Sequence, residues 1–330
     1  MSEVRAKKAL GQHFLVDLNI ARKICDALSG GVRPGDGAET RANAAGYAGA
    51  GAEARTMAAG SADAGAETRN GDGAGMAADA RLAADTTAAG APAAAEEERG
   101  GAVPCDVLEV GCGMGVLTQY LLRRGDITTY GAEIDPESVG YLHAHFPEFA
   151  PRLIEGDFLK MNLRERFPRG LKIIGNFPYN ISSQIFFKVL EHRDLVPECV
   201  GMIQKEVAVR IAEPPGSKEY GILSVLLQAW YDIEYLFTVN ETVFNPPPKV
   251  KSAVIRLRRN GVGRLGCDEA LFVKVVKASF GQRRKMIRNS LRAVFGDFGG
   301  AEHPFFTQRA EQLSVADFVQ LTDWVAANRR

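Results

Sequence analysis

The sequence predicts an α/β domain followed by a small all-α C-terminal part, and three observations carry this. From Val107 short apolar strands alternate with helical patterns. A glycine loop separates the first of those strands from the helix that follows. Beyond about Arg259 the pattern becomes wholly helical. A chain of 330 residues can hold two ordinary domains. With 46% hydrophobic and 24% charged residues it has a globular balance, and no apolar run of about 18 residues suggests a membrane span. The N-terminal "MSEVRAKKALGQHFL" is basic without an apolar signal core, so no export is expected. Cys25, Cys105, Cys112, Cys199 and Cys267 are scattered without a C-x-x-C, which argues against zinc and disulfides and for a reducing compartment. His143 and His145, two apart, diverge on a helix. The expectation is a metal-free monomer in the cytoplasm.

Taken in chain order, "DLNIARKICDAL" (17–28) sets Ile20, Ile24, Ala27 and Leu28 at helical spacing behind Asp17 as a cap. Residues 31–103 hold eleven Asp/Glu against six Arg, so the net charge of zero hides −5 there and +5 elsewhere. Within 37–103, 26 of 67 positions are Ala and 12 are Gly, and "GAETR", "GAEAR", "GAETR" recur at a spacing of fourteen. Such units lack the large apolar residues a solenoid core needs, and each glycine costs a helix about 1 kcal/mol. Too little area can be buried to offset chain ordering. Residues 31–103 therefore read as a disordered, low-complexity insert in a domain running from 1 to 259.

After Pro104 the character changes. "DVLEV" (106–110) reads as a buried strand, "GCGMG" (111–115) as a loop, "VLTQYLLRRG" (116–125) as an amphipathic helix and "ITTYGAEI" (127–134) as a second strand, which is a βαβ nucleotide-binding unit. Gly111 and Gly113 let the backbone approach a ligand. Glu133 ends the second strand, where a carboxylate can accept from two ribose hydroxyls. Asp157, in "LIEGDFL", ends the third, where it can accept from an adenine amino group. The spacing is G-x-G-x-G, not the G-x-G-x-x-G of a dinucleotide site, and Glu109 sets an acid beside the loop. That disfavours a nicotinamide-linked dehydrogenase. It suits S-adenosylmethionine, which has adenosine, no phosphate and a positive sulfonium. The arrangement resembles the class I S-adenosylmethionine methyltransferases, whose fold is Rossmann-like with a seven-stranded sheet.

"IIGNFPYNIS" (173–182) runs a fourth strand into Asn176-Phe177-Pro178-Tyr179 at the same sheet edge. This resembles the (N/D/S)-x-P-(Y/F) motif of amino-methyltransferases acting on adenine or cytosine. The lone pair of an exocyclic N6 is delocalised into the ring. Asn176 Oδ1 and the Phe177 carbonyl, held extended by Pro178, would accept its two hydrogens and aim the nitrogen at the methyl. Tyr179 would stack on the base.

Five segments then occur in order: "KKALGQHFLVD" (7–17), "NFPYNIS" (176–182), "MIQKEVAVRI" (202–211), "SKEYGILSVLLQ" (217–228) and "FNPPPKVKSAVIRL" (244–257). Together they resemble the ribosomal RNA adenine N6-dimethyltransferase family over the whole chain apart from the insert. "KALGQHFL" and "YGILSV" look closer to the small-subunit branch than to the resistance branch acting on large-subunit RNA. The resemblance implies dimethylation of two adjacent adenosines near the 3′ end of small-subunit ribosomal RNA, on an immature subunit. A non-catalytic RNA-binding assembly factor and the large-subunit enzyme stand as alternatives. The resemblance places cofactor contacts on Gln12, His13, Leu15, Gly111, Gly113, Glu133, Asp157 and Asn176. His13 stands where Asn is usual, Cys112 where Pro is common and Phe177 where Leu is usual. Phe244 is either a stacking partner for the base or part of a rigid loop.

In the C-terminal part, "LFVKVVKASFGQRRKMIRNSLRAVF" (271–295) reads as helices bearing Arg283, Arg284, Lys285 and Arg288, with 284 and 288 on one face for RNA phosphates. "QRAEQLSVADFVQLTDWV" (308–325) reads as two helices with a Ser314-x-x-Asp317 cap. Residues 260–330 are thus expected to form a helical RNA-docking domain, with a plain solvated basic helix as the alternative.

Overall fold

The alternating segments form a seven-stranded sheet in the computed structural model, which describes residues 4–30, 105–282 and 284–329. The insert expected at 31–103, and Arg283, lie outside the described residues. In chain order the elements are β1 (Phe14–Leu15), α1 (Leu18–Asp26), β2 (Cys105–Val110), α2 (Thr118–Leu121), β3 (Ile127–Glu133), α3 (Pro136–His145), β4 (Leu153–Glu155), α4 (Leu163–Arg166), β5 (Lys172–Asn176), α5 (Ser182–Glu191), β6 (Glu198–Gln204), α6 (Lys205–Ala212), α7 (Ile222–Gln228), β7 (Tyr231–Val239), β8 (Phe244–Asn245), β9 (Ser252–Arg259), α8 (Glu269–Gly281), α9 (Ile287–Phe295) and α10 (Val315–Asn328).

The sheet order is β4-β3-β2-β5-β6-β9-β7. The first five strands pair in parallel, and β9 runs antiparallel to both β6 and β7. Strand order reverses between β2 and β5, which opens a crevice at their carboxyl ends. Side chains alternate across the sheet. Val107, Ile174, Val200, Met202 and Val254 pack with Ala21, Ile24 and Leu28 around α1. Leu108, Ile173, Cys199, Ile203 and Ile255 pack on the other face with Ile185, Phe186 and Val189 of α5. Helices on both faces explain why the strands read as near-continuous apolar runs.

Asp17 caps α1 as expected, its Oδ1 accepting from the Asn19 and Ile20 amides at 2.8 and 3.1 Å. The helix expected over 116–125 contracts to the single turn of α2. The chain leaves it so that Arg124 Nη1 can donate to the Cys25 and Leu28 carbonyls at 3.1 and 2.9 Å. Of the two helices expected over 308–325, the first is one tight turn at Ala310–Gln312, next to the bridge between Met286 and Arg309. The second is α10, with the Ser314–Asp317 capping box in place. Every element after Arg259 is helical, and α8 meets the sheet side through Phe272 against Trp230, ring centroids 6.0 Å apart.

A buried ion pair marks the opposite edge. Lys172 and Glu198, 6% and 3% exposed, open β5 and β6 at 3.1 Å from each other. Lys172 Nζ also donates to the Ser29 and Gly30 carbonyls at 3.0 and 2.8 Å. Gly30 and the start of β2 therefore lie at the amino edge of the sheet, away from the crevice. Among the described residues no helix is long and apolar enough to cross a membrane.

Candidate active site

The ends of β2, β3 and β5 and the N-terminal arm enclose one cleft. Gln12, His13, Leu15, Gly111, Gly113, Glu133, Asp157 and Asn176 all border it, as do Phe177, Pro178 and Tyr179. Phe244 does not. It is 3% exposed and joins the core around α1, with β8 pairing β1 through Leu15 and Phe244. Phe244 is thus a strand residue of that core, and its ring is not part of the cleft lining.

The glycine loop works by backbone shape. Gly113 has φ +54°, and a Cβ there would sit 3.1 Å from the Phe14 ring. Its amide donates to Glu133 Oε2 at 2.8 Å, while Glu133 Oε1 accepts from the Ile134 and Asp135 amides, both at 2.9 Å. Burial pushes the Glu133 carboxyl up, and these three hydrogen bonds oppose the shift. A carboxylate offers about four acceptor positions. Three are used, so only one remains open unless the Gly113 amide yields its place. Asp157 Oδ1 accepts from the Leu159 amide at 2.9 Å.

The acids Glu109, Glu133 and Asp157 border the cleft, and among the described residues no Lys or Arg does. Glu109 is 1% exposed and accepts from Thr118 Oγ1 at 2.6 Å. Burial drives its carboxyl up from 4.5 to about 8, with the Thr118 bond opposing and Glu133 adding to the rise. The folded chain therefore holds this proton where the unfolded chain has lost it. That contribution to stability is full below about pH 4.5 and is lost as pH rises to about 8. Glu109→Gln is expected to flatten the fall in stability across that window, by on the order of 5 kcal/mol. Denaturant melts at several pH values check this, and identical slopes in both proteins would count against it.

On the acceptor side, Asn176 Nδ2 donates to the His13 carbonyl at 3.0 Å. That leaves Asn176 Oδ1 as the atom offered to the cleft. Phe177 is 1% exposed and its ring packs edge-on against Phe186 at 5.8 Å, so its contribution to the cleft is main chain. The ring fits only because β5 and β6 carry glycines beside it. A Cβ on Gly201 would lie 2.4 Å from Phe177 Cε2. Gly201→Ala is expected to cost about 1–3 kcal/mol and to reduce turnover by shifting the Phe177 carbonyl. A thermal melt and a rate measurement test both halves. Tyr179 hydrogen bonds Ser252 Oγ at 2.5 Å, and its ring lies 5.3 Å from that of His13, whose Nδ1 donates to the Pro246 carbonyl at 2.9 Å.

Two residues that sequence reasoning missed complete the arm. Lys7 Nζ donates to Asp135 Oδ1, and Gln12 Nε2 donates to Asp135 Oδ2 at 3.1 Å. The partners are 128 and 123 residues apart, so no local spacing could reveal them. Ile134, 51% exposed, adds an apolar wall.

The basic stretch does not form one helix face. α9 begins at Ile287, so Arg284 and Lys285 lie exposed in the preceding turn and share no helix face with Arg288. Arg288 is half-buried, ion-pairs with Glu302 and sits 5.6 Å from the Phe306 ring. Placing it on the helix allows that internal pairing, which the turn residues do not make.

Residues 104–327 match the family described as ribosomal RNA adenine dimethylase. A ribosomal RNA small subunit methyltransferase A from Porphyromonas gingivalis is 47% identical over 326 residues, 98% of each chain. One from Parabacteroides distasonis is 60% identical over 218 residues, 66% of this chain and 81% of its own. A crystal structure of a dimethyladenosine transferase from Plasmodium falciparum superposes with a TM-score of 0.56 at 25% identity, covering 68% of this chain and 90% of its own. With the seven-stranded sheet, the glycine-loop cleft and the Asn-Phe-Pro-Tyr edge already in place, these matches establish that the chain belongs to the ribosomal RNA adenine dimethylase family.

Proposed function

We propose that this protein transfers methyl groups from S-adenosylmethionine to N6 of two adjacent adenosines near the 3′ end of small-subunit ribosomal RNA, dimethylating each. The observation that carries the reading is the oriented Asn176 amide, its Oδ1 offered to an acidic cleft. The relatives named as small-subunit methyltransferases support the choice of RNA.

The donor set fits the cofactor. Among the described residues the cleft is bordered by acids and by no Lys or Arg, so it offers no cation to a pyrophosphate and tolerates a sulfonium, while Glu109, held protonated by its burial, adds a neutral acid. When bound, S-adenosylmethionine supplies an electrophilic methyl group. Glu133 would accept from the ribose, its open position taking one hydroxyl and the second competing with the Gly113 amide. Asp157 would accept from the adenine amine, and Ile134 would lie against the purine. Gln12, His13 and Leu15 would close the cleft from the arm. Asn176 Oδ1 and the Phe177 carbonyl would hold the target N6, and Tyr179 would stack on its base. After the first transfer one N–H is gone, so the second transfer uses one acceptor.

Residues 260–330 would dock the RNA. Arg284 and Lys285 are free of helix packing, whereas Arg288 braces Glu302 and Phe306. Arg284→Gln with Lys285→Gln is expected to raise KM for the subunit and to shrink the salt slope of binding by about 0.7–0.9 per lost contact, with cofactor affinity unchanged. A filter-binding titration against salt measures it. We place the protein in the cytoplasm, as a monomer acting on the immature subunit. Labelled-methyl incorporation into undermodified small subunits, followed by mapping of dimethyladenosine, tests the function. Methylation confined to large-subunit RNA, or none, would overturn it.

A further inference from the structure

Within that proposed reaction, we propose that Asp135 is a positioning residue, which holds the N-terminal arm so that the His13 carbonyl orients the Asn176 amide. The connections run unbroken from one half of the cleft to the other. The Glu133 carboxylate, on the cofactor side, accepts from the Asp135 amide at 2.9 Å. The Asp135 side chain is 0% exposed and receives both Lys7 Nζ and Gln12 Nε2 from the arm. Lys7 also reaches Glu137 at 3.1 Å, and its amide donates to Gln12 Oε1 at 2.8 Å, which closes residues 7–12 into a turn. The next residue, His13, accepts from Asn176 Nδ2, and Phe14 and Leu15 then enter β1 against β8.

The physical point is amide orientation. A side-chain amide has one donor end and one acceptor end, and the reaction needs the acceptor facing the cleft. Without a carbonyl at the His13 position, nothing in this arrangement selects oxygen over nitrogen on that side. An arm released from Asp135 would let the amide turn and present a donor to an amine. Burial pushes the Asp135 carboxyl up, and the bonds from Lys7, Gln12 and the Glu137 amide outweigh it, leaving it below the ordinary value. It is therefore ionised at neutral pH and a strong acceptor for the arm.

The test is a double-mutant cycle on the full chain, read as single-turnover rate at saturating cofactor and RNA. Lys7→Met is expected to slow methylation about tenfold, and Lys7→Arg to restore most of the rate. In an Asn176→Ala background, Lys7→Met should change the rate by less than about twofold, because its effect is routed through the missing amide. The same tenfold loss in both backgrounds would show an arm that only supports the fold, and would overturn the proposal. Should Lys7→Met fail to fold, Asp135→Asn replaces it in the cycle, since asparagine still caps α3. Wild-type protein that leaves adenosine N6 unmethylated would refute the proposed reaction, and the role of Asp135 would fall with it. An active wild type with an additive cycle would refute Asp135 alone.

Discussion

Replacing Asn176 with alanine is expected to slow methyl transfer by about 10²–10³-fold and to change cofactor affinity by less than about threefold. The asymmetry follows from geometry. Asn176 Nδ2 donates one of its hydrogens to the His13 carbonyl at 3.0 Å, which sets the nitrogen end toward the arm and the oxygen end toward the acceptor side of the cleft. A half-buried acceptor that polarises the attacking amine acts mainly in the transition state, so its loss lowers kcat more than it weakens ground-state binding. Asn176→Asp is expected to fail as well, because a carboxylate would face the His13 carbonyl with no hydrogen to share. Single-turnover rates and calorimetry separate the two quantities. Wild-type rates in Asn176→Ala would remove the residue from the reaction.

Glu133→Ala should produce the opposite pattern, with cofactor affinity falling roughly 10²-fold or more and little transfer at limiting cofactor. The carboxylate organises the cofactor side before any ligand arrives, since it satisfies the Gly113, Ile134 and Asp135 amides. Alanine would strand three backbone donors in addition to removing the proposed ribose contact. Glu133→Gln keeps one oxygen and is expected to fall between the two. An unchanged dissociation constant for Glu133→Ala would exclude the ribose contact, and a lowered melting temperature in the same protein would report the stranded amides.

Much of this arrangement is legible in the sequence. The glycine loop, Glu133 and Asn176 each end a strand, and strand ends are local events written in local sequence. The buried strand at 106–110 reads as an apolar run, and in the sheet its Val107 and Leu108 pack on opposite faces, each covered by helices. The misreadings were also local. "VLTQYLLRRG" has helical composition, but tertiary hydrogen bonds from Arg124 to the Cys25 and Leu28 carbonyls compete with its last turn. Arg284 and Arg288 are four apart, yet a turn between them breaks the helical spacing on which the shared face depended.

By itself, then, the sequence determined the βαβ order, the acids at strand ends, the Asn-Phe-Pro-Tyr edge and the family. Each depends on residue type at short spacing, where backbone geometry leaves few choices. Only the tertiary structure decided which atom of Asn176 faces the cleft, how much of Glu133 is left for a ligand, and that Asp135 holds an arm from the far end of the chain. Those depend on hydrogen bonds between groups far apart in the chain, 163 residues for Asn176 with His13 and 128 for Lys7 with Asp135. No periodicity encodes such pairs, because they form only when folding brings the two segments to one edge of the sheet.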